Sequence, residues 1–343
     1  MLRQRPGLRS QQVYARSSVC YAGYMAPQFP SDKRAQAVTE GIPTRAREGH
    51  STTSAHVGNA DCITSRDNKW LKIFRAALRG SGPAEAEPIA AEGPKLVEEG
   101  VRSGLETEAL LVSETGERHL ERILQVASES DSGIPRSRIF RTPDKVFESV
   151  AGTEAPQGVA ALFRQRAWNF DDVMRGRANL AGAFSGDSPL VIVMAAVQDP
   201  GNVGTIVRSA EAFGASGVVA TRGTADPWSP KALRASAGSA LRLPLLRGMA
   251  IPILLAQLRV AGVTIVAAGT RPTAAENAGA PTADLRGACA IFIGNEGAGL
   301  PSEVQHAADD WISIAMKNEV ESLNAGVAAS VILFEAARQR RGA

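Results

Sequence analysis

LVIVMAAVQDPGNVGTIVRSAEAFG, residues 190–214, joins an unbroken apolar run to a Pro-Gly turn and then to a helical pattern. The run 190–197 has no polar alternation, as expected of a strand covered on both faces of a parallel sheet. Asp199-Pro200-Gly201-Asn202 follows it and opens a helix, with proline at a first-turn position where a missing amide costs nothing. Two more runs of this kind, VTIVAAG (263–269) and ACAIFIG (288–294), are separated from it by helical segments. Such alternation predicts an α/β fold on a parallel sheet with crossover helices.

Two later segments repeat the strand-to-turn pattern with polar side chains at the turn: IFIGNEGAGLPSEV (291–304) and ISIAMKNEVESLNAGVAASVILFE (312–335). In the first segment Asn202 sits near a helix N-terminus, where unpaired amides favour an anionic or carbonyl ligand. Gly204 and Arg208 are four residues apart on one helix face, so a bare glycine would admit a substrate backbone beneath a guanidinium able to hold phosphate. A capping Asn202 and a solvated Arg208 would fit the same residues. Gly294, Gly297 and Gly299 surround Asn295 and Glu296 directly after a buried strand, where ligands enter open α/β sheets. Their GxxGxG spacing is not the dinucleotide GxGxxG, and no acidic residue about 20 positions on ends a second strand, which disfavours a nicotinamide or flavin site. In the third segment a strand over 311–314 leads to Glu321-Ser322-Leu323-Asn324, with Ser322 as the natural N-cap of a helix to about Arg340. Asn324 then has no capping task, and its amide is suited to reading an adenine edge or a ribose hydroxyl.

Upstream, residues 65–166 alternate as a small α/β domain: helix 68–79, strand PIAAEG, helix 94–101, strand EALLV, helix 116–127, SRIF, helix 143–150 and strand GVAALF. Residues 167–188 mix Asn, Asp, Gly and Ser without a clean apolar face and read as a linker with helical turns. Residues 1–62 lack a sustained period. Up to Ala60 they carry eight Lys or Arg against three acids, and they read as a disordered tail that superficially resembles a transit peptide. In KALRASAGSALRLP (231–244), Lys231, Arg234 and Arg242 lie among small residues, a composition suited to backbone phosphates and equally to a solvated helix face.

The 343 residues allow about two domains, and 44% hydrophobic content suffices for a core in each. A formal charge of +3 makes only a faint case for nucleic acid, so any basic surface must be local. Cys20, Cys62 and Cys289 are isolated, which leaves no metal site or redox pair and fits a reducing cytoplasm. The four histidines lie outside the three segments, so the usual general base is absent from them. No apolar run is long enough to span a membrane. The final helix is apolar over most of its circumference, which calls either for burial within one domain or for a homodimer interface.

Together the three segments resemble the three motifs of the SpoU (TrmH-like) branch of the SPOUT tRNA/rRNA 2′-O-methyltransferases, over about residues 189–340. NKWLKIFRAAL, IAAEGPKLVEEGV and TEAPQGVAALF resemble the ribosomal-protein-like substrate-binding domain of that family. The resemblance implies a SPOUT sheet closed by a deep C-terminal trefoil knot, S-adenosylmethionine as cofactor, RNA as partner and a homodimer. It assigns catalysis to Asn202, Arg208, Glu296, Ser322 and Asn324. It places the cofactor against Gly294, Ile314 and Leu323, with Thr270 and Met316 nearby, and leaves Lys231 and Arg234 to contact RNA. The motifs depart from the family at Ala315, where proline is usual, and at Asn324-Ala325-Gly326, where serine usually follows an Asn-Val pair. A catalytically silent RNA-binding protein of the same fold is the main alternative, and the intact five-residue set argues against it. An arginine normally stays charged, so Arg208 is expected to orient and stabilise an incipient alkoxide rather than remove its proton.

Overall fold

The computed structural model describes residues 62–80, 88–130, 133–176, 188–269, 283–316 and 322–341. The tail expected at 1–62 falls outside these residues except for Cys62, and so does Thr270.

The first sheet has four strands, β1 (Ile89–Glu92), β2 (Thr107–Ser113), β3 (Ile139–Thr142) and β4 (Val159–Phe163), in the order β1-β4-β2-β3. Only the β2–β3 pair is parallel. Helix α1 (Lys69–Arg79) buries Leu71, Phe74 and Leu78, is capped by Asn68 and stops at the left-handed Gly80. Helices α2 (Pro94–Arg102), α3 (Glu117–Glu129) and α4 (Asp144–Glu148) complete this layer. Asp144 holds the turn after β2 by accepting hydrogen bonds from the Ser113 hydroxyl and from Thr115, and these bonds lower its pKa.

The second sheet has six strands: β5 (Leu190–Met194), β6 (Gly217–Thr221), β7 (Leu245–Met249), β8 (Thr264–Ala268), β9 (Cys289–Ile293) and β10 (Asp310–Ile312). All pairs are parallel, in the order β10-β8-β9-β5-β6-β7. Alternate residues of the apolar runs go to opposite faces. Ile192, Met194, Val266 and Ile291 pack with α6 (Pro200–Ala212), α7 (Pro230–Ser236) and α11 (Ala325–Arg341). Val191, Val193, Ile265 and Phe292 pack with α5 (Phe170–Arg175), α9 (Ile251–Val260) and α10 (Ser302–Ala307). Strands covered on both sides have no need of polar alternation, which is why the runs are continuous.

Within the expected linker the helical turn is α5 (Phe170–Arg175). Asn169 and Asp172 form a reciprocal capping box on α5, whose Val173 is fully buried against the sheet. A single turn pinned by its cap needs only one buried residue, so the clean apolar face absent from the sequence was not required. Between α7 and β7 lies the short helix α8 (Ser239–Arg242). Its Arg242 was grouped with the phosphate contacts, but it is held by two carboxylates, Glu211 of α6 and Glu99 of α2. Arg242 therefore ties the two sheets' layers together. Among the described residues no helix is long and apolar enough to cross a membrane.

Candidate functional site

Strand β5 is where the chain changes direction across the large sheet: β6 and β7 are laid down on one side of it and β8, β9 and β10 on the other. Loops leaving the carboxyl ends of strands at such a switch point diverge and leave a crevice. Here the loops after β5 and β9, which are neighbours, meet across that crevice. Asn202 on α6 donates from Nδ2 to Oε1 of Glu296 after β9, at 2.6 Å. The two residues lie 94 positions apart, and the parallel register of β5 and β9 brings them together.

Each partner is set by its own turn. Asp199 is the N-cap of α6: its Oδ2 accepts from the Asn202 amide at 3.0 Å, while its Oδ1 accepts from Lys231 at 2.6 Å. The Lys231 bond and the Asn202 amide hold the Asp199 carboxyl below its ordinary pKa. On the other side Asn295 organises the glycine turn, its Oδ1 accepting from the amides of Gly297 and Ala298 and its Nδ2 donating to the Ala196 carbonyl. Ala196 itself has φ 58°, a left-handed conformation uncommon for alanine, at the end of β5. Asn295 was not among the expected site residues, and it shapes the turn that carries Glu296; its signal was an Asn within a glycine-bearing turn, a usual composition of an Asx turn.

Beside the Asn202–Glu296 contact lies a cavity of about 290 Å³. Its walls come from the ends of β8 (Gly269), β9 (Ile293, Gly294) and β10 (Ile312, Ile314), from Leu323 just before α11 and from Ile332 within it. Of the residues expected at a cofactor, Gly294, Ile314, Met316 and Leu323 line it, as do Glu296 and Ser322. Apolar walls with few polar groups at the rim are the usual make-up of a small-molecule site.

Arg208 and Asn324, expected in catalysis rather than against the cofactor, lie outside the cavity lining, and both are exposed. Other expectations are corrected. Asn324, not Ser322, caps α11: its Oδ1 accepts from the amides of Gly326 and Val327 at 2.9 and 3.2 Å. The helix accordingly begins at Ala325, and the amide of Asn324 has the capping task that the sequence reading denied it. Gly204 does not admit a ligand. A Cβ there would lie 2.4 Å from the Ala232 carbonyl and 2.5 Å from the Ala235 Cβ, so the bare position exists to seat α7 on α6. Gly294 both lines the cavity and lies close against the chain, since a Cβ there would meet the Gly299 backbone at 2.6 Å. Lys231 and Arg234 are both exposed on α7, with Lys231 engaged to Asp199.

The family model of the SpoU rRNA Methylase family matches residues 189–334, and that of an MRM3-like substrate binding domain matches residues 84–161. The chain is 30% identical over 275 residues to the 23S rRNA (guanosine(2553)-2′-O)-methyltransferase RlmP of Bacillus subtilis (strain 168), covering 79% of this chain and 97% of that protein. Among solved structures it is similar to the AdoMet-bound rRNA methyltransferase from Sinorhizobium meliloti, with a TM-score of 0.65 and 27% identity, over 81% of this chain and 97% of that one. It is also similar to an RNA 2′-O ribose methyltransferase, with a TM-score of 0.60 and 28% identity, over 82% and 99% of the two chains.

Proposed function

The chain belongs to the SpoU rRNA methylase family, and from that premise we propose that the cavity at the carboxyl ends of β8, β9 and β10 is where a ribose 2′-hydroxyl of ribosomal RNA is methylated. The protein is an RNA 2′-O-methyltransferase that uses S-adenosylmethionine. The observation that carries the location is the meeting of Asn202 and Glu296 at the rim of the one crevice that Gly294, Ile314, Met316 and Leu323 also line. The apolar floor suits a purine ring and a thioether chain, and the Glu296 carboxylate suits a cationic sulfonium. When bound, S-adenosylmethionine supplies an electrophilic methyl carbon.

What remains for the chain is to hold an alcohol in line with that carbon and to stabilise the charge that develops on its oxygen. Asn202, with its amide nitrogen committed to Glu296, presents its amide oxygen to a ribose hydroxyl. Arg208, exposed on the same helix, anchors a backbone phosphate and remains a cation throughout. Ser322 contacts the ligand from the cavity edge, and Asn324 is a positioning residue that fixes the Ser322-Leu323 segment by capping α11. Lys231 and Arg234, exposed on α7, contact RNA phosphates, and Thr270 is assigned to the cofactor.

In this reading residues 65–166 grip RNA and residues 189–340 carry out the transfer, in the cytoplasm and as a homodimer. Support for the dimer is the exposed stripe Val327, Val331 and Phe334 on α11, at 48%, 42% and 55% exposure, extended by the edge contact of Phe334 with Phe213. A C-terminal trefoil knot belongs to this reading through the family resemblance, with α11 packed on α6, Ser209 and Ser330 2.7 Å apart.

The experiment is to incubate the purified chain with methyl-labelled S-adenosylmethionine and bulk ribosomal or transfer RNA, then hydrolyse the RNA in alkali. Label in alkali-resistant dinucleotides is expected, because a methylated 2′-oxygen cannot attack its neighbouring phosphate. No label in RNA while the cofactor still binds would mean a silent RNA-binding protein.

A further inference from the structure

The small sheet's layer carries an aromatic and basic surface that the methyl-transfer site does not use. On α1, Trp70 is half-buried and stacks against Phe140 of β3, with ring centroids 5.1 Å apart and planes tilted by 33°. Two exposed cations lie over the same indole, Lys69 Nζ at 5.7 Å and the Arg138 guanidinium at 5.5 Å from its centroid. The helix itself contains Lys69, Lys72, Arg75 and Arg79 and not one acidic residue.

Trp70, Ile73 and Ala77 recur at helical spacing and share one flank of α1, and Ala77 and Gly80 then line a cleft of about 110 Å³ shared with Trp228, Ser229 and Arg247 of the large-sheet layer. At 1.5 Å of rise per residue, the platform stands about 10 Å along the helix from that cleft. An indole stacked on one ring and flanked by guanidinium and ammonium groups suits a nucleobase with its phosphate: every base offers a π face, and Arg planes extend such a stack.

We propose that Trp70, with Arg138 and Lys69, is a stacking platform for an unpaired base of single-stranded RNA, placed to hold the strand as it leaves the cleft beside the large sheet. The proposal rests on the reading of the protein as an RNA methyltransferase, and deepens it by assigning single-stranded RNA to a defined surface.

The test measures binding of the full chain to a fluorescein-labelled 12-nucleotide single-stranded RNA by anisotropy, with S-adenosylhomocysteine affinity measured in parallel. Trp70→Ala is expected to weaken RNA binding about tenfold, about 1.4 kcal/mol, while Trp70→Phe retains most of it. Arg138→Glu, at an exposed position whose guanidinium lies over the indole, is expected to weaken it comparably. All three variants are expected to bind S-adenosylhomocysteine like the parent. Parental RNA affinity in both Trp70→Ala and Arg138→Glu overturns the platform while leaving the methyltransferase reading intact. A fall for Trp70→Ala with no fall for Arg138→Glu, or equal losses for Trp70→Ala and Trp70→Phe, also overturns it. Failure of the parent chain to bind either RNA or S-adenosylhomocysteine would instead overturn the underlying reading.

Discussion

Replacing Arg242 by alanine is expected to loosen the layer of the small sheet from that of the large one. Its guanidinium makes a two-point contact with Glu211 of α6, Nε to Oε1 and Nη2 to Oε2, both at 2.7 Å, and a third bond from Nη1 to Glu99 of α2 at 2.5 Å. The bonds to Glu211 outweigh burial and raise the pKa of Arg242, so the group stays charged. The three side chains are 24%, 29% and 31% exposed, between the surface and interior regimes. Exposed pairs contribute up to about 1 kcal/mol, whereas removing one partner of a buried pair costs about 3–5 kcal/mol. Partial exposure places Arg242→Ala near 2 kcal/mol, roughly the midpoint, because the fork to Glu211 and the bond to Glu99 are lost while Glu99 keeps its pair with Arg102. For a domain of this size each kcal/mol moves the melting temperature by about 2–4 °C, so a fall of about 4–8 °C is expected in a thermal melt. Glu99→Gln, which keeps the Glu211 fork, is expected to fall by less than half as much. With the layers loosened, KM for RNA should rise while S-adenosylhomocysteine affinity is retained. A melting temperature within 1 °C of the parent, or equal losses for Arg242→Ala and Glu99→Gln, would refute the clasp.

Gly204→Ala is expected to destabilise by about 1–3 kcal/mol in denaturant melts despite the better helix propensity of alanine, because the new methyl meets backbone of α7 that cannot move alone. Asn324→Ala should lower stability by about 1 kcal/mol through the lost cap, with Ser322→Ala near neutral in the same melt. Asn202→Ala should abolish most methyl transfer while S-adenosylhomocysteine titrations remain within a few-fold of the parent, since Asn202 lies outside the cavity lining. Asp144 and Asp199 both have folded pKa values below their unfolded ones, so their contribution is present above the unfolded value, about 3.9, and is lost as pH falls through the folded value. Asp144→Asn should therefore flatten the acid limb of a stability–pH profile below about pH 4.

The parallel sheet was legible because strands β5, β8 and β9 are apolar without alternation, and nothing else in a chain of this length requires that pattern. The residues alone placed Asn202 and Glu296 each at the carboxyl end of such a strand, and only the resemblance to the family's motifs grouped them. What stayed hidden depended on distant partners. Arg242 looked like a solvated cation because Glu99 is 143 residues earlier. The choice between Ser322 and Asn324 as the cap turns on where α11 meets α6: a Cβ at Gly326 would stand 3.1 Å from Thr205, which fixes the helix start against that neighbour. Gly204 shows the same ambiguity, because a glycine needed by an adjacent helix and one needed by a ligand have identical local spacing.

The most direct measurement is a crystal structure of the protein with S-adenosylhomocysteine and an RNA oligomer. The ligand is expected in the cavity of Gly294, Ile314, Met316 and Leu323, with its sulfur facing a ribose 2′-oxygen beside Asn202 and Glu296. Ligand bound away from these residues, or a base atom in place of the sugar oxygen, would contradict the proposed site.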